Sequence, residues 1–375
     1  MGPLRTTRSA LYGQGVSETA PGSAETSARA AARRMARERP TMREVAALAG
    51  VSLKTVSRVA NEVPTVDPEL VAKVHLAMDR LGFRPNLAAS NLRRRDGRTH
   101  TVGLLVEDVG NPFSAAIHRA VEDYAVQHDV LLLSSSLDED PERERRMVRA
   151  LIARRVDGLI IVPASHDHRY LVAEQQAGTA AVFVDRVPVP LVGDAVITDN
   201  REASAAGVEH LIAAGHRRIA YLGDIDTLMT AQDRYAGYCD AMRRGEAAGC
   251  VLDPNLAVHG LRATKAAADA VTALLGRDNP PTALFTSQNL VTIGAIEALH
   301  QAGRNHDVAL VGFDDFPLAE LLDPGITVLA QQPAQMGRLA AQLLFGRLAG
   351  DDTPAAAHVI PSKFIPRGSG EIPAT

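Results

Sequence analysis

Two constellations of side chains in this chain have the residue types and spacing for chemistry. The first is the run Ser52-Leu53-Lys54-Thr55-Val56-Ser57-Arg58. Lys54 and Arg58 are four apart, so on a helix they share a face. Two long cationic donors on one face can reach the O6 and N7 acceptors of guanine in a DNA major groove, while hydroxyls such as those of Ser52, Thr55 and Ser57 suit phosphate contacts that carry no sequence information. Val56 and Val59 are left to face a core. The alternative by spacing alone is an ordinary helical hairpin with surface cations. The second constellation is dispersed: Asp108, Asn111 and Phe113, then Asp185-Arg186, then Thr230 and Arg234, then Asn289 beside Gln288, then Asp314 and finally Gln331. Carboxylates, amides and guanidinium groups together supply the paired donors and acceptors that a polyhydroxylated molecule requires, and Phe113 offers it a flat apolar face. The competing reading of Asp185, Arg186 and Arg234 is structural ion pairing.

The elements that must position these groups are legible around them. Thr41-Met42-Arg43-Glu44 fits a capping box, which predicts a helix starting there and carrying Val45, Ala46 and Ala49 inward until Gly50. Ser52 then caps a second helix, giving helix, tight turn, helix. Asp67-Pro68-Glu69 opens a third, with Val71, Val74, Met78 and Leu81 at helical spacing and Gly82 as its stop. Residues 86–93 read as a short helix and Arg93, Arg94, Arg95 and Arg98 as a basic linker. Beyond Thr101, short β-branched or leucine-rich runs (102–106, 130–134, 158–162, 180–184, 218–222, 282–285 and 308–311) alternate with amphipathic stretches. That alternation predicts parallel sheets covered by helices on both faces, in two lobes. The dispersed polar groups follow those runs, and loops at the carboxyl ends of parallel strands are where such sheets bind ligands. The expected organisation is an arm without stable structure over 1–40, an all-α unit over 41–84, a hinge helix and linker over 85–98 and a two-lobed α/β domain over 99–375.

Charge separates the same parts. Residues 1–98 hold 17 Lys and Arg against 9 Asp and Glu, leaving 23 basic against 35 acidic side chains in the rest. A basic front end predicts a polyanionic partner, and Arg29, Arg33, Arg34, Arg37 and Arg39 of the arm could add phosphate contacts. Two cysteines, Cys239 and Cys250, supply no disulfide framework and fit a reducing, cytoplasmic compartment. No apolar run is long enough for a membrane span or a secretory core, so neither membrane nor export is expected. No Walker A loop, H-E-x-x-H or G-x-S-x-G run is present, so no enzymatic activity, cofactor or metal is expected. His166 and His168, and the segment 142–149, read as solvated surface.

The residues Met42-Arg43-Glu44-Val45-Ala46, Ala49-Gly50-Val51-Ser52 and Thr55-Val56-Ser57-Arg58-Val59, with Asn61 following, resemble the LacI/GalR family of bacterial repressors. The resemblance continues through Arg84-Pro85-Asn86, Ala88-Ala89 and Leu92 and covers the chain after residue 40. It implies an N-terminal helix-turn-helix DNA-binding domain with a hinge helix, then an effector domain of periplasmic-binding-protein-like (type I) fold. It also implies DNA contacts from Thr41, Ser52, Leu53, Lys54, Thr55, Ser57, Arg58 and Asn61 and, in the hinge, Asn86, Ala89 and Leu92, with Leu92 wedging between base pairs of the minor groove. Leu53 and Lys54 match the positions that select the operator, and Arg234, in Arg234-Tyr235-Ala236-Gly237-Tyr238, matches an effector-binding arginine. The partners so implied are a pseudo-palindromic double-stranded operator, a second copy of the chain and a small effector, a sugar or sugar phosphate. One departure is Gln288-Asn289, where many sugar-responsive relatives have Asn-Asp; loss of that carboxylate could accommodate a phosphate or carboxylate on the ligand. A transport-type solute-binding protein and a regulator answering to a protein corepressor are the alternative readings.

Overall fold

The computed structural model describes residues 40–61, 63–84, 98–190 and 192–374. The expected arm before Pro40, the hinge residues Asn86, Ala89 and Leu92 and the arginines 93–95 lie outside the described residues. The chain divides into two units between Gly97 and Arg98.

In the first unit, α1 (Met42–Ala49) starts on both halves of a capping box: the Glu44 N–H donates to Thr41 Oγ1 at 3.4 Å and the Thr41 N–H to Glu44 Oε2 at 2.6 Å. It stops at Gly50, whose φ of 66° is open to a residue without a Cβ. Ser52 Oγ accepts the Thr55 N–H at 3.1 Å and starts α2 (Leu53–Ala60). Asp67 caps α3 (Pro68–Leu81), which ends at Gly82. Val45, Val56, Val59, Val74, Met78 and Phe83 close one small core, against which Val71 and Leu81 pack half-buried.

The second unit contains two six-stranded sheets. The first is built from β1 (Thr101–Val106), β2 (Leu131–Ser136), β3 (Gly158–Ile161), β4 (Ala180–Val184), β5 (Asp194–Ile197) and a late strand β11 (Ala357–Val359), in the order β11-β5-β4-β3-β1-β2. The second holds β6 (Ile219–Leu222), β7 (Ala257–Val258), β8 (Ala283–Thr286), β9 (Ala309–Phe313), β10 (Thr327–Ala330) and β12 (Lys363–Ile365), in the order β12-β10-β9-β8-β6-β7. Every ladder is parallel except β10 with β12. Each sheet has a separate apolar cluster on each face, as expected where crossover helices cover both sides.

The chain passes between lobes three times: from β5 into α7 (Asn200–Ala213), from β10 into α11 (Pro333–Leu348), and from β11 into β12. Helix α11 therefore packs on α4 (Pro112–Gln127) of the first lobe although it follows a strand of the second. The crossings are tied together, with Thr198 Oγ1 donating to the Ile360 carbonyl at 2.8 Å, the Ser362 N–H to Asp199 Oδ1 at 2.7 Å and Gln332 Nε2 to the Pro361 carbonyl at 2.8 Å. A waist of three short, cross-linked strands of chain suits hinge motion of one lobe against the other.

Two surface readings are corrected. His168 and Glu144, expected to be solvated, are buried together inside the first lobe, while His166 is exposed. Glu144 lies on α5 (Pro141–Ala153), and its Oε2 accepts the Ala164 and Ser165 amides at 2.6 and 3.0 Å; Oε1 accepts the Tyr170 hydroxyl at 2.6 Å and lies 3.4 Å from His168 Nε2. Burial alone would raise the Glu144 carboxyl, but the bonds from His168, Tyr170 and the Ala164 amide outweigh it and hold the group below its usual range. The carboxylate stitches α5 to the loop after β3. Glu144→Ala would strand these donors in the core and should cost about 3–5 kcal/mol; a urea titration giving the parental midpoint would refute it.

Candidate functional site

In the first unit, α2 presents its amino-terminal half to solvent. Thr41, Met42, Arg43, Leu53, Lys54, Ser57 and Arg58 line one open groove between the starts of α1 and α2. Leu53 and Lys54 are exposed, Thr55, Ser57 and Arg58 half-buried, and Val56 and Val59 turn inward. Arg58 is held, its Nη2 donating to Thr65 Oγ1 at 2.5 Å. Asn61 ends the helix with its Nδ2 donating to the Ser57 carbonyl at 2.7 Å. Three cations, Arg43, Lys54 and Arg58, an exposed leucine and the Thr41 and Ser57 hydroxyls thus share one open groove, while the amino end of α2 adds backbone N–H groups and a positive dipole end. Such a face can lie against a nucleic-acid groove, with cations toward base edges and hydroxyls toward phosphates.

In the second unit, the carboxyl ends of both sheets converge on one cleft lined by Glu107, Asn111, Phe113, Ser114, Val162, Asp185, Arg186, Asp224, Thr230, Arg234, Gln288, Asp314 and Gln331. The two aspartates occupy equivalent places in the two lobes. Asp185 is the first residue after β4 and Asp314 the first after β9; each has positive φ, 72° and 70°, and each donates its N–H to the neighbouring strand, to Val196 and Leu329 respectively. Aspartate tolerates this left-handed backbone better than most residues, and the kink turns each carboxylate into the cleft.

Arg234 and Thr230 are one turn apart on α8 (Met229–Arg244). The Arg234 guanidinium lies 3.9 Å over the Phe313 ring, donates from Nε to Asn200 Oδ1 and from Nη1 to the Ser287 carbonyl, each at 2.7 Å, and comes within 4.0 Å of Asp314. Burial pushes the Asp314 carboxyl up, with Arg234 opposing; Gln331 Nε2 donates to its Oδ1 at 2.8 Å. Across the cleft, Arg186 grips Glu139 with two 2.7 Å bonds and donates to the Pro163 carbonyl, while its Nε lies 3.3 Å from Asp185. Mutual pairing of Asp185 and Arg186 is thus the minor contact of that arginine. The lobes meet at Asn111, which caps α4: its Oδ1 accepts the Phe113 N–H at 3.0 Å and Asn289 Nδ2 of the other lobe at 2.9 Å. The free space between these side chains is about 30 Å³, of the order of one or two waters.

Of the cleft residues expected from sequence, two do not line it: Asn289 is buried behind it on Asn111, and Asp108 lies outside. Asp108 is exposed, and its Oδ1 accepts the Gly110 N–H at 2.9 Å to form a local turn; the carboxylate of that loop inside the cleft is Glu107. Asp224, Ser114 and the Arg234 anchor Asn200 were also not expected from sequence. Position is the signal that could have found the carboxylates: Glu107, Asp185 and Asp314 each stand immediately after a strand and Asp224 two residues after one. Among the described residues, no group of three or more His, Cys, Asp or Glu could hold a metal ion, and no helix is long and apolar enough to cross a membrane.

Glu107 bridges the lobes electrostatically. Burial first, then Glu139 and Asp224, push its carboxyl up to about 7 against the opposing pull of Arg186 and Arg262; Arg262, from the second lobe, approaches it at 3.6 Å and donates to the Asp138 carbonyl at 3.1 Å. A carboxyl raised above its unfolded value contributes stability that is complete at low pH and lost as pH rises through the folded value. Thermal stability is therefore expected to fall between about pH 4.5 and 7, by up to about 3 kcal/mol, and Glu107→Gln should flatten that slope. Equal slopes for the two proteins in pH-resolved melts would exclude Glu107 as the source.

Comparison with known proteins covers both units. The model for "bacterial regulatory proteins, lacI family" matches residues 41–86, and a periplasmic binding protein-like domain matches residues 208–370. The transcriptional regulator PtxS of Pseudomonas plecoglossicida is 33% identical over 342 residues, 90% of this chain and 97% of that one. The ribose operon repressor of Escherichia coli (strain K12) is 31% identical over 312 residues, 82% and 93% of the two chains. Among solved structures, the lac repressor dimer bound to operator and an anti-inducer aligns with a TM-score of 0.75 at 25% identity, over 89% of this chain and 99% of that one. A CelR–cellobiose complex aligns at 0.64 and 30% identity, over 88% and 100%.

Proposed function

The chain belongs to the lacI family of bacterial regulatory proteins, and from that premise we propose that it represses transcription as a homodimer on a pseudo-palindromic operator in the cytoplasm, with operator affinity set by a small hydroxyl-rich effector in the interlobe cleft. The observation that carries the reading is the combination, in one chain, of the cationic α2 face with a polar cleft whose walls come from two lobes joined by three short crossings. One α2 per chain reads one half-site, so a two-fold site calls for two chains. Effector binding alters the lobe spacing, and that change is passed to the DNA unit along the chain that joins the two. No catalytic role is assigned to the cleft, and the named relatives are transcriptional regulators.

The test is footprinting on genomic fragments together with sedimentation. Protection of a two-fold site by a dimer, reversed or tightened by a compound that also raises the melting temperature, is the expected result. A strictly monomeric species on DNA would sink the dimeric reading. Ligand binding without specific DNA protection would favour a solute-binding role, and loss of operator binding only with a protein partner a corepressor-type regulator.

A further inference from the structure

Away from the waist, side chains tie the two lobes together at two places among the described residues: Asn111 to Asn289, and Arg262 of the second lobe to the loop after β2 in the first. The second tie holds an uncommon turn. Asp138 and Glu139 are consecutive and both have a φ of 55°, a left-handed conformation that a residue with a Cβ adopts at a cost. Such a turn persists where its surroundings hold it, and here two arginines from opposite lobes do so. Arg262 donates from Nη1 to the Asp138 carbonyl at 3.1 Å, with its Nη2 3.6 Å from Glu107 Oε1. Arg186, on the wall of the cleft, takes the buried Glu139 carboxylate in two 2.7 Å bonds. Arg262 is not among the residues that line the cleft. Its mount is firm, since Leu261 beside it is buried and donates its N–H to the Gly223 carbonyl at 2.9 Å. The Arg262 side chain is 39% exposed, so the tie is partly solvated and moderate in strength, as a contact that opens and closes must be.

We propose that Arg262 is a latch between the lobes: by holding the Asp138-Glu139 turn it sets how much of the protein has its lobes together, and because Arg186 holds the same turn from the cleft wall, occupancy of the cleft acts on that latch. This rests on the effector-cleft reading above and adds its regulation. A ligand changes operator affinity only by favouring one lobe arrangement over another, so the strength of this tie fixes the balance from which the ligand works. Arg262 is thus a positioning residue, set apart from the side chains that meet the ligand.

The experiment measures the interlobe distance on the full, ligand-free chain by electron-spin resonance between labels at Glu142→Cys on α5 and Asp269→Cys on α9 (Thr264–Leu275). Both sites are exposed, and the native Cys239 and Cys250 are buried. Arg262→Ala is expected to raise the ratio of long to short separations by roughly threefold, without a matching loss of thermal stability. Arg262→Lys keeps the charge but not the fork; it should shift the ratio the same way by less, and it serves if the alanine protein does not fold. Glu139→Ala, which releases the turn from Arg186 within the first lobe, should shift the same ratio. An unchanged distance distribution in the folded Arg262 variants overturns the latch. A shift with Arg262→Ala and none with Glu139→Ala overturns its connection to the cleft. None of these readings uses effector or DNA, so their failure leaves the effector-cleft reading standing, whereas both shifts in a protein that protects no DNA site would sink that reading and leave the latch.

Discussion

Arg234→Ala is expected to abolish the response to effector while leaving ligand-free operator binding intact. The guanidinium joins three elements that border the cleft: the start of α7 through Asn200, the loop after β8 through Ser287, and the end of β9 through the Phe313 ring and Asp314. No other cation of the second lobe lines the cavity among the described residues. Truncating a buried, hydrogen-bonded charge of this kind costs about 2–5 kcal/mol of binding, roughly 30-fold or more in ligand affinity. By linkage, a ligand that no longer distinguishes lobe arrangements cannot shift operator affinity. The change also leaves Asp314 without its cation, and its carboxyl, already raised by burial, will then tend to be neutral. Arg234→Lys serves as a second variant, keeping a positive charge for Asp314 while losing the flat fork that spans Asn200 and Ser287. Calorimetry of ligand binding and DNA titration with and without ligand read the two effects separately. A full ligand response in a folded Arg234→Ala protein would remove this cleft from consideration.

Arg58→Ala should cost roughly 1–3 kcal/mol of discrimination between operator and random DNA if its fork meets a base edge. The Thr65 hydroxyl holds the side chain on the exposed groove it shares with Leu53, Lys54 and Ser57, so less rotamer freedom is lost on binding than for a free surface arginine. Ser57→Ala is the informative companion. A hydroxyl on a phosphate contributes to every sequence alike, so that variant should weaken operator and random DNA in nearly the same ratio. Fluorescence titrations of both DNAs at one fixed salt concentration decide the matter, because the phosphate contribution varies steeply with salt. An Arg58→Ala protein with an unaltered specificity ratio would assign the base contact elsewhere, Lys54 being the exposed cation of the same face.

The DNA unit was legible almost residue by residue, and the reason is range. Thr41 with Glu44, Ser52 with Thr55, Asp67 with Glu69, and the stops at Gly50 and Gly82 are all settled by groups within a few residues of each other, where side-chain and backbone chemistry act directly on the local conformation. The seven strands with strong apolar runs were equally readable. Strands β5 and β10 and the two- or three-residue β7, β11 and β12 were not: segments of two or three residues carry too little pattern, and β11 and β12 are largely exposed edges that exist because a sheet built from distant sequence offers them a ladder.

The same division runs through the cleft. Sequence alone determined that polar groups after parallel strands would gather, because a strand's carboxyl end and the crossover that follows it are local facts. It could not decide between Glu107 and Asp108, adjacent carboxylates of which one caps a turn and the other faces the second lobe. Nor could it pair Arg186 with Glu139, Arg262 with Glu107, or Asn111 with Asn289, 178 positions away. These partners meet only because the chain crosses between the lobes three times and brings the ends of the two sheets face to face. Which polar groups meet in the cleft, and which of them stay unpaired, follows from that crossing and from no segment of the chain read by itself.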